Sequence, residues 1–362
     1  MIGQAVLLGI ALAWLLFVVL HRLLSGRFWL WLMPDLVPPV SYLVIPVLLL
    51  VVAVPAGQLW SAGAALAALA IGSGHSGLNR GALDRAEEPP AGAVRVLSWN
   101  TQYWDQADTA KSLWEFLKRK DADIYVLQEH LHGSHWQPRP APDLPRLRAE
   151  FPGYHVAVAG ELLTLSRFPI AGTAALGPAG GAEWRQVYDS TKVLRTDLRL
   201  DTGVLSVYNV HIPAQYLGED NPLTRRFYTG LRDRNSQRRA QFRKLHADLA
   251  ANPNPRLVTG DFNSTGAMGD LRWLFKHLAS ANRAARRFWL SSWPARGPAL
   301  WQLDWTFTHG VRVYSYELLD PQGISDHRTQ ELLISLTGGS DHVRAQAPAE
   351  VSARAHQRGG PS

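Results

Sequence analysis

Residues 256–263 read Arg-Leu-Val-Thr-Gly-Asp-Phe-Asn, an apolar run that stops at a glycine and presents a carboxylate and an amide just beyond it. Side chains of an extended segment alternate between faces, so Asp261 and Asn263 share one face while Phe262 packs on the other. The same pattern recurs along the chain. Val94-Arg95-Val96-Leu97 ends in Ser98-Trp99-Asn100, and Ile124-Tyr125-Val126-Leu127 ends in Gln128-Glu129. Val204-Leu205-Ser206-Val207-Tyr208 ends in Asn209-Val210-His211, and Ile324 leads into Ser325-Asp326-His327. Carboxylates, amides and histidines gathered where strands hand over to loops are the inventory of a divalent-metal phosphoesterase.

Composition narrows the field. The 362 residues include no cysteine, which excludes disulfides, thiolate metal sites and cysteine nucleophiles. A net charge of +7 favours anionic partners such as phosphates, nucleic acid or lipid headgroups. No zinc-finger spacing, P-loop or GxSxG motif occurs.

The first 72 residues differ in kind from the rest. Residues 6–20, 40–56 and 58–71 are three apolar runs, and a spanning helix needs roughly 20 residues. No basic stretch precedes the first run and two more follow, so a membrane anchor of two or three spans is expected rather than a cleaved signal. Trp29, Trp31 and Tyr42 would suit a headgroup belt. Arg22 and Arg27 follow the first run and favour a cytoplasmic position for that loop. Residues 73–92 read as a linker and 93–337 as one α/β catalytic domain. Residues 338–362 have little apolar content and read as a disordered tail.

Within the domain, strand-like runs recur at 94–99, 124–128, 154–158, 162–166, 193–200, 204–210, 256–260, 303–308, 311–318 and 331–336. Helical spacing joins Leu113, Phe116 and Leu117, and again Phe242, Leu245 and Leu249. Many strands with few helices imply stacked sheets with helices outside. Arginines crowd the segment after His211. From Ser236 to Ala250 the pattern is amphipathic, which puts Arg238 to Lys244 on a solvated helix face. Arg225 and Arg226, in a loop ahead of that helix, are the better candidates for substrate contact.

Six segments, around Asn100, Glu129, His211, Asp261, Asp304 and His327, occur in an order and spacing that resemble the endonuclease/exonuclease/phosphatase superfamily. The resemblance covers about residues 94–336. It implies a four-layer α/β sandwich, two packed mixed β-sheets flanked by helices, here preceded by N-terminal transmembrane helices. It implies that Glu129 and Asn100 hold Mg2+, or Mn2+, with Asp326 as a further metal ligand. His327 would be the general base or phosphate-stabilising histidine, oriented by Asp304. Asp261 would position the attacking water or the metal, Asn263 would contact the phosphate, and so would His211, whose candidate partner is Glu161. Asn209 lies on the same face as His211 and is a candidate for substrate binding. The lysine that usually follows the metal-binding Glu by two positions in abasic-site endonucleases is absent, since Leu131 stands there.

These expectations converge on an enzyme of a bacterial cell membrane, a multi-pass protein hydrolysing a phosphate ester at the lipid bilayer, on a lipid-linked phosphate or a phospholipid headgroup. The layout also resembles membrane proteins of this superfamily linked to glycopeptide-antibiotic resistance, whose catalytic domain is extracytoplasmic, against the vote of Arg22 and Arg27. A membrane-tethered nuclease acting on nucleic acid, or a catalytically silent interaction protein, are the alternatives.

Overall fold

The computed structural model describes residues 2–85, 87–104, 110–133, 137–178, 181–215, 221–298 and 300–337; the tail expected at 338–362 lies outside the described residues. Three helices come first: α1 (Ile2–Leu24), α2 (Ser41–Ala53) and α3 (Leu59–Gly72). The catalytic domain then opens with β1 (Val94–Asn100), α4 (Ala110–Lys120), β2 (Ile124–Gln128), and the ribbon β3 (Leu131–Gly133) and β4 (Pro138–Pro140). Next come α5 (Leu144–Glu150), β5 (His155–Ala159), β6 (Leu162–Ser166), β7 (Ile170–Ala175) and α6 (Trp184–Ser190). The second half runs β8 (Val193–Leu200), β9 (Gly203–His211), α7 (Arg225–Ala251), β10 (Arg256–Asp261), α8 (Arg272–His277) and β11 (Ala279–Ser280). It closes with β12 (Asp304–His309), β13 (Val311–Leu319) and β14 (Thr329–Leu336).

The strands form two six-stranded mixed sheets, ordered β13-β14-β1-β2-β6-β5 and β11-β12-β10-β9-β8-β7. Between them lies an apolar layer that includes Val96, Ile124, Val126, Leu205, Val207, Leu257 and Leu332. On the outer face of the first sheet, Phe116 and Leu117 of α4 and Leu147 of α5 pack on Trp99 and Tyr125. On the outer face of the second, Phe242, Leu245 and Leu249 of α7 pack on Tyr208, Val210, Val258 and Phe307. Helix, sheet, sheet, helix gives the expected four layers.

Side chains facing the inter-sheet layer change character along each strand. β1 presents Val94 and Val96, then Ser98 and Asn100; β9 presents Leu205 and Val207, then Asn209 and His211; β10 presents Leu257, then Thr259 and Asp261. Toward the polar end the sheets are tied by hydrogen bonds across the layer, Gln128 Nε2 to Asn209 Oδ1 (2.7 Å) and Thr306 Oγ1 to Gln330 Oε1 (2.9 Å). Buried polar groups paired in this way avoid the cost of an unmade hydrogen bond. One end of the sandwich is therefore sealed by hydrocarbon and the other is lined with functional groups.

Among the described residues one helix, Gly3–Leu24, is long and apolar enough to cross a membrane; Trp29–Leu36 and Ser41–Ala53 pass the same test only as a pair bent by 62°. Ala11 of α1 packs with Leu49 of α2 and Ala64 and Ala65 of α3, while Val6, Ile10, Leu16, Leu48, Val51, Leu59 and Trp60 stay exposed. Tyr42, expected at a headgroup belt, is instead 1% exposed and packs with Val18 and Ala267. The first part of the segment read as a linker is docked on the domain, with the Asn79 side chain donating to the carbonyls of Ala285 (3.2 Å) and Arg287 (3.0 Å).

Candidate active site

Strand register assembles the polar end. On β10, Asp261 pairs with His211 of the parallel strand β9 on one side and with Asp304 of the antiparallel strand β12 on the other. Gly260 permits this. Its φ is +140°, and a Cβ there would lie 2.0 Å from the Val210 carbonyl oxygen, a position open only to glycine. In the first sheet β1 and β2 run parallel, with Asn100 opposite Gln128 and Glu129 one residue further on.

Asn100 bridges the sheets, its Nδ2 donating to Glu129 Oε1 (3.1 Å) and to Asp261 Oδ2 (3.1 Å). Glu129 Oε2 accepts from the Tyr103 N–H (2.9 Å). Asn263 folds back so that its N–H meets Asp261 Oδ1 (2.8 Å) while its side chain donates to the Ile212 carbonyl (2.9 Å). Glu129 (φ +59°), Asn263 (+46°) and the loop Gln102-Tyr103-Trp104 (+51°, +62°, +56°) all adopt left-handed backbone. Each such residue costs of order 1–3 kcal/mol, and strain of this kind collects where a side chain must be aimed.

Two histidines face this group, each backed by a carboxylate. His327 Nδ1 pairs with Asp304 Oδ2 (2.8 Å), which turns Nε2 toward Asp261 Oδ2, 3.8 Å away. Burial alone would lower this imidazole, but the charges of Asp304 and Asp261 outweigh it and hold it well above the ordinary histidine range. His211 Nδ1 lies 3.0 Å from Glu161 Oε1 and its Nε2 lies 3.7 Å from Asp261 Oδ2. Burial lowers His211 too, and Glu161 reverses the balance and raises it. The Glu161 pairing that sequence only suggested is thus present, and the residue is fully buried rather than on the surface. Burial would raise its carboxyl; Lys192 and His211 bring it instead down to about 2. Asp261 goes the other way, pushed up by burial with Asp304 beside it.

These groups open into a cavity of about 380 Å³. Asn100, Glu129, His211, Asp261, Asn263 and His327 form its floor. Its walls come from α6, with Arg185, Tyr188 and Asp189, and from α7, with Asp233, Arg234 and Gln237. Lys192, just beyond α6, also reaches it, held by Glu161 and 3.9 Å from the Tyr188 ring centre.

The remaining sequence candidates stand elsewhere. Asn209 is fully buried, donating to the carbonyls of Leu127 (2.9 Å) and Leu163 (3.1 Å), so it clamps the two sheets and does not reach the cavity. Asp326 accepts from Trp293 Nε1 (3.0 Å) and is not among the cavity residues. Arg225 and Arg226 are exposed at the first turn of α7, not in a loop, and lie outside the cavity. The solvated-face reading of the basic stretch holds for Arg239 and Arg243, which are exposed, and is corrected at Arg238, which is 1% exposed. Lys192, Tyr188 and Arg185 went unremarked in the sequence, where no strand-end motif marks them.

The donor set suits a hard divalent cation. Carboxylate oxygens of Glu129 and Asp261 converge on the Asn100 amide, whose Nδ2 faces both while its Oδ1 accepts from the Gln102 N–H (3.1 Å). Turning that amide end for end would add its oxygen to the set, and no thiolate is among the donors. Asp261, Asp304 and His327 also bring donor atoms within 4.8 Å of one another, but the His327–Asp304 hydrogen bond already occupies two of those atoms. That pair is better arranged to move a proton than to hold an ion.

Comparison with known proteins agrees with the geometry. Curated protein sequences gave no match. Among solved structures, an endonuclease/exonuclease/phosphatase from Bacteroides vulgatus is similar, with 20% identity, a TM-score of 0.49, and 67% of this chain and 98% of that one covered. A mannosyl-6-phosphatase from Bacteroides thetaiotaomicron aligns at 16% identity and a TM-score of 0.46, covering 67% and 100%. The human Nocturnin catalytic domain with bound sulfate aligns at 17% and 0.46, covering 70% and 97%. The sequence profile described as Endonuclease/Exonuclease/phosphatase family matches residues 97–342. That span takes in every strand of both sheets but the first residues of β1, and with it the whole cavity floor; the chain belongs to this family of phosphoester hydrolases.

Proposed function

We propose that this protein is a membrane-anchored, magnesium-dependent phosphoesterase whose substrate is a lipid-linked phosphate or a phospholipid headgroup. The observation that carries this reading is the outer surface of the three N-terminal helices. Val6, Ile10, Leu16, Leu48, Val51, Val54, Leu59, Trp60 and Leu66 are all at least half exposed, an extensive apolar exterior of the kind that marks a membrane or protein contact. With 23 residues α1 is about 35 Å long, enough for a hydrocarbon core of about 30 Å. In this reading α2 and α3 also enter the bilayer, and the catalytic domain lies on the extracytoplasmic side.

The cavity adjoins the anchor. Phe227 and Leu231 of α7 pack on Trp29, Leu32 and Met33, which follow α1, while Asp233, Arg234 and Gln237 of the same helix line the cavity. Arg225 and Arg226 at the start of α7, and the 92%-exposed Leu223 just ahead of it, would meet headgroups rather than the reacting phosphate. Tethering keeps such a substrate at high local concentration.

In the catalytic arrangement Glu129 and Asn100, with Asp261 beside them, would hold the cation, and a bound divalent ion would offset charge on the phosphoryl oxygens. Asp304 fixes the ring of His327 so that Nε2 faces the cavity and, with the proton that the neighbouring carboxylates favour, donates to a phosphoryl oxygen. With those carboxylates offset by a bound cation, the same nitrogen would be free to take a proton from water. His211, its hold on a proton raised by Glu161, and Lys192 add positive charge at the cavity. Asn263, whose Nδ2 is shared between the Ile212 carbonyl and Asp261 Oδ2 (3.1 Å), would meet the phosphate only by releasing one of them.

The test is hydrolysis by the full-length protein in detergent or nanodiscs, with magnesium and with chelator. The substrates are phospholipid or polyprenyl-diphosphate vesicles, plasmid DNA and a bis-aryl phosphodiester. Magnesium-dependent turnover of lipid with DNA intact is the expected result. Nicked DNA with untouched lipid would overturn it in favour of a tethered nuclease.

A further inference from the structure

Arg238 lies midway along α7, and its guanidinium donates to the Pro213 carbonyl (2.5 Å), the Ser264 hydroxyl (2.6 Å) and the Asp270 carboxylate (2.5 Å). The first two contacts belong to loops that carry the site. Pro213 lines the cavity and follows Ile212, whose carbonyl receives the Asn263 side chain. Ser264 follows Asn263, whose own carbonyl is held by Gln215. Arg238 itself is absent from the cavity lining, so any effect it has on the reaction passes through these loops.

The third contact leads out of the domain. Asp270 follows Gly269, whose N–H donates to Ser25 Oγ (2.8 Å) just after α1. The two segments meet there backbone to backbone: a Cβ on Gly269 would lie 2.1 Å from the Ser25 carbonyl oxygen, and one on Gly26 2.7 Å from the Gly269 carbonyl carbon. His21, one turn earlier, adds a hydrogen bond from its Nε2 to the Ala267 carbonyl (2.8 Å). Ala267, Gly269 and Asp270, which carry these contacts, follow Asn263 by four, six and seven residues, in a packed interior that transmits displacement rather than absorbing it.

We propose that Arg238 is a positioning residue that joins the anchor elbow Ser25-Gly26, through Asp270, to the loops bearing Pro213 and Asn263, so that seating of the anchor sets the geometry of the catalytic cavity. Arg238 pairs with a buried carboxylate and two neutral acceptors at once, and its planar fork fixes their relative positions in a way a lysine would not reproduce fully. The anchor in this account is part of the active site's scaffold as well as a tether. The inference does not depend on which phosphate ester is the substrate.

Two readouts on the full-length protein in nanodiscs test it. With magnesium and a bis-aryl phosphodiester as probe, Arg238→Gln lowers kcat by about tenfold or more with KM changed less than about threefold, and Arg238→Lys recovers part of the loss. Ser25→Ala and Gly26→Ala touch nothing in the cavity. Ser25→Ala lowers kcat by about threefold or more with the domain's melting temperature unchanged, and Gly26→Ala, whose Cβ presses on the Gly269 backbone, lowers kcat at least as far with a lower melting temperature. The second readout needs no turnover: in the elbow variants, amide hydrogen exchange at residues 261–265 accelerates selectively. Wild-type kcat together with unchanged exchange at 261–265 in both elbow variants would overturn the proposal, and would reduce Arg238 to a stabilising residue whose loss moves only the melting temperature. Failure of lipid hydrolysis alongside faster exchange would instead count against the substrate and leave the coupling standing.

Discussion

Asp261 and His211 are register partners on adjacent parallel strands, and the imidazole Nε2 stands 3.7 Å from the carboxylate Oδ2. A loop could not hold two such groups at that separation without further support; here backbone pairing does it, and the neighbouring strand adds Asp304 by the same means. The catalytic floor is a consequence of sheet register.

Register at this point depends on Gly260. Replacing it with alanine forces a Cβ into the Val210 carbonyl, 2.0 Å away, at a φ of +140°. Gly260→Ala should destabilise the domain by about 3 kcal/mol or more, or prevent its folding. Chemical denaturation monitored by tryptophan fluorescence would measure the loss, and a wild-type midpoint would refute the register argument.

His327 and Asp304 act as a pair. Either His327→Ala or Asp304→Asn should lower kcat by about 10²-fold to 10⁴-fold while the melting temperature stays near wild type. Steady-state kinetics beside a thermal melt separates this from unfolding.

Glu129→Ala should weaken divalent-metal binding, because it removes the most exposed carboxylate of the donor set. Calorimetric titration with Mn2+ reads this directly, and an unchanged affinity would remove Glu129 from the metal site.

Glu161 ties pH to stability. Its carboxyl falls from an ordinary value of 4.5 to about 2 in the fold, so its contribution is complete above pH 4.5 and is lost as pH drops through about 2. Glu161→Gln leaves Lys192 buried without its counter-charge, which should cost about 3–5 kcal/mol at neutral pH. The variant should also lose less stability than wild type between pH 4.5 and pH 2, as urea melts across that range would show.

Asn209 and Asn100 should behave oppositely despite similar positions at strand ends. Asn209→Ala opens a buried clamp and should cost about 1–3 kcal/mol with kcat per folded molecule nearly unchanged. Asn100→Ala should reduce kcat and metal affinity together. Kinetics normalised to folded fraction distinguishes the two.

The sequence made the cavity floor legible because its chemistry sits in short linear signals, a β-branched run followed by Asp, Asn, Glu or His. Such signals say where a strand ends but not which last residues remain open to solvent. Asn209 is a candidate for substrate binding on sequence for that reason: it shares a strand face with His211, and only the opposed sheet reveals that Leu127 and Leu163 take its amide. The walls were silent. Arg185, Tyr188 and Lys192 belong to a short helix and its exit, and their placement beside Glu161 is a tertiary fact. Arg238 looked solvated because amphipathic spacing describes one helix alone, without the loops that close over its polar side. The strand β7, Ile-Ala-Gly-Thr-Ala-Ala, has little of the β-branched or aromatic content that marks a strand and forms because β8 offers it an edge.

The shift from hydrocarbon to polar side chains along each strand separates two tasks that most enzymes must reconcile in one place. Cohesion is concentrated at one end of the sandwich, where Val96, Ile124, Leu205 and Leu257 meet, and reactivity at the other. Substitutions in the walls supplied by α6 and α7 can therefore redirect the cavity toward a different phosphate ester while the hydrocarbon end keeps the architecture intact. A scaffold divided in this way is free to diversify in substrate without being rebuilt.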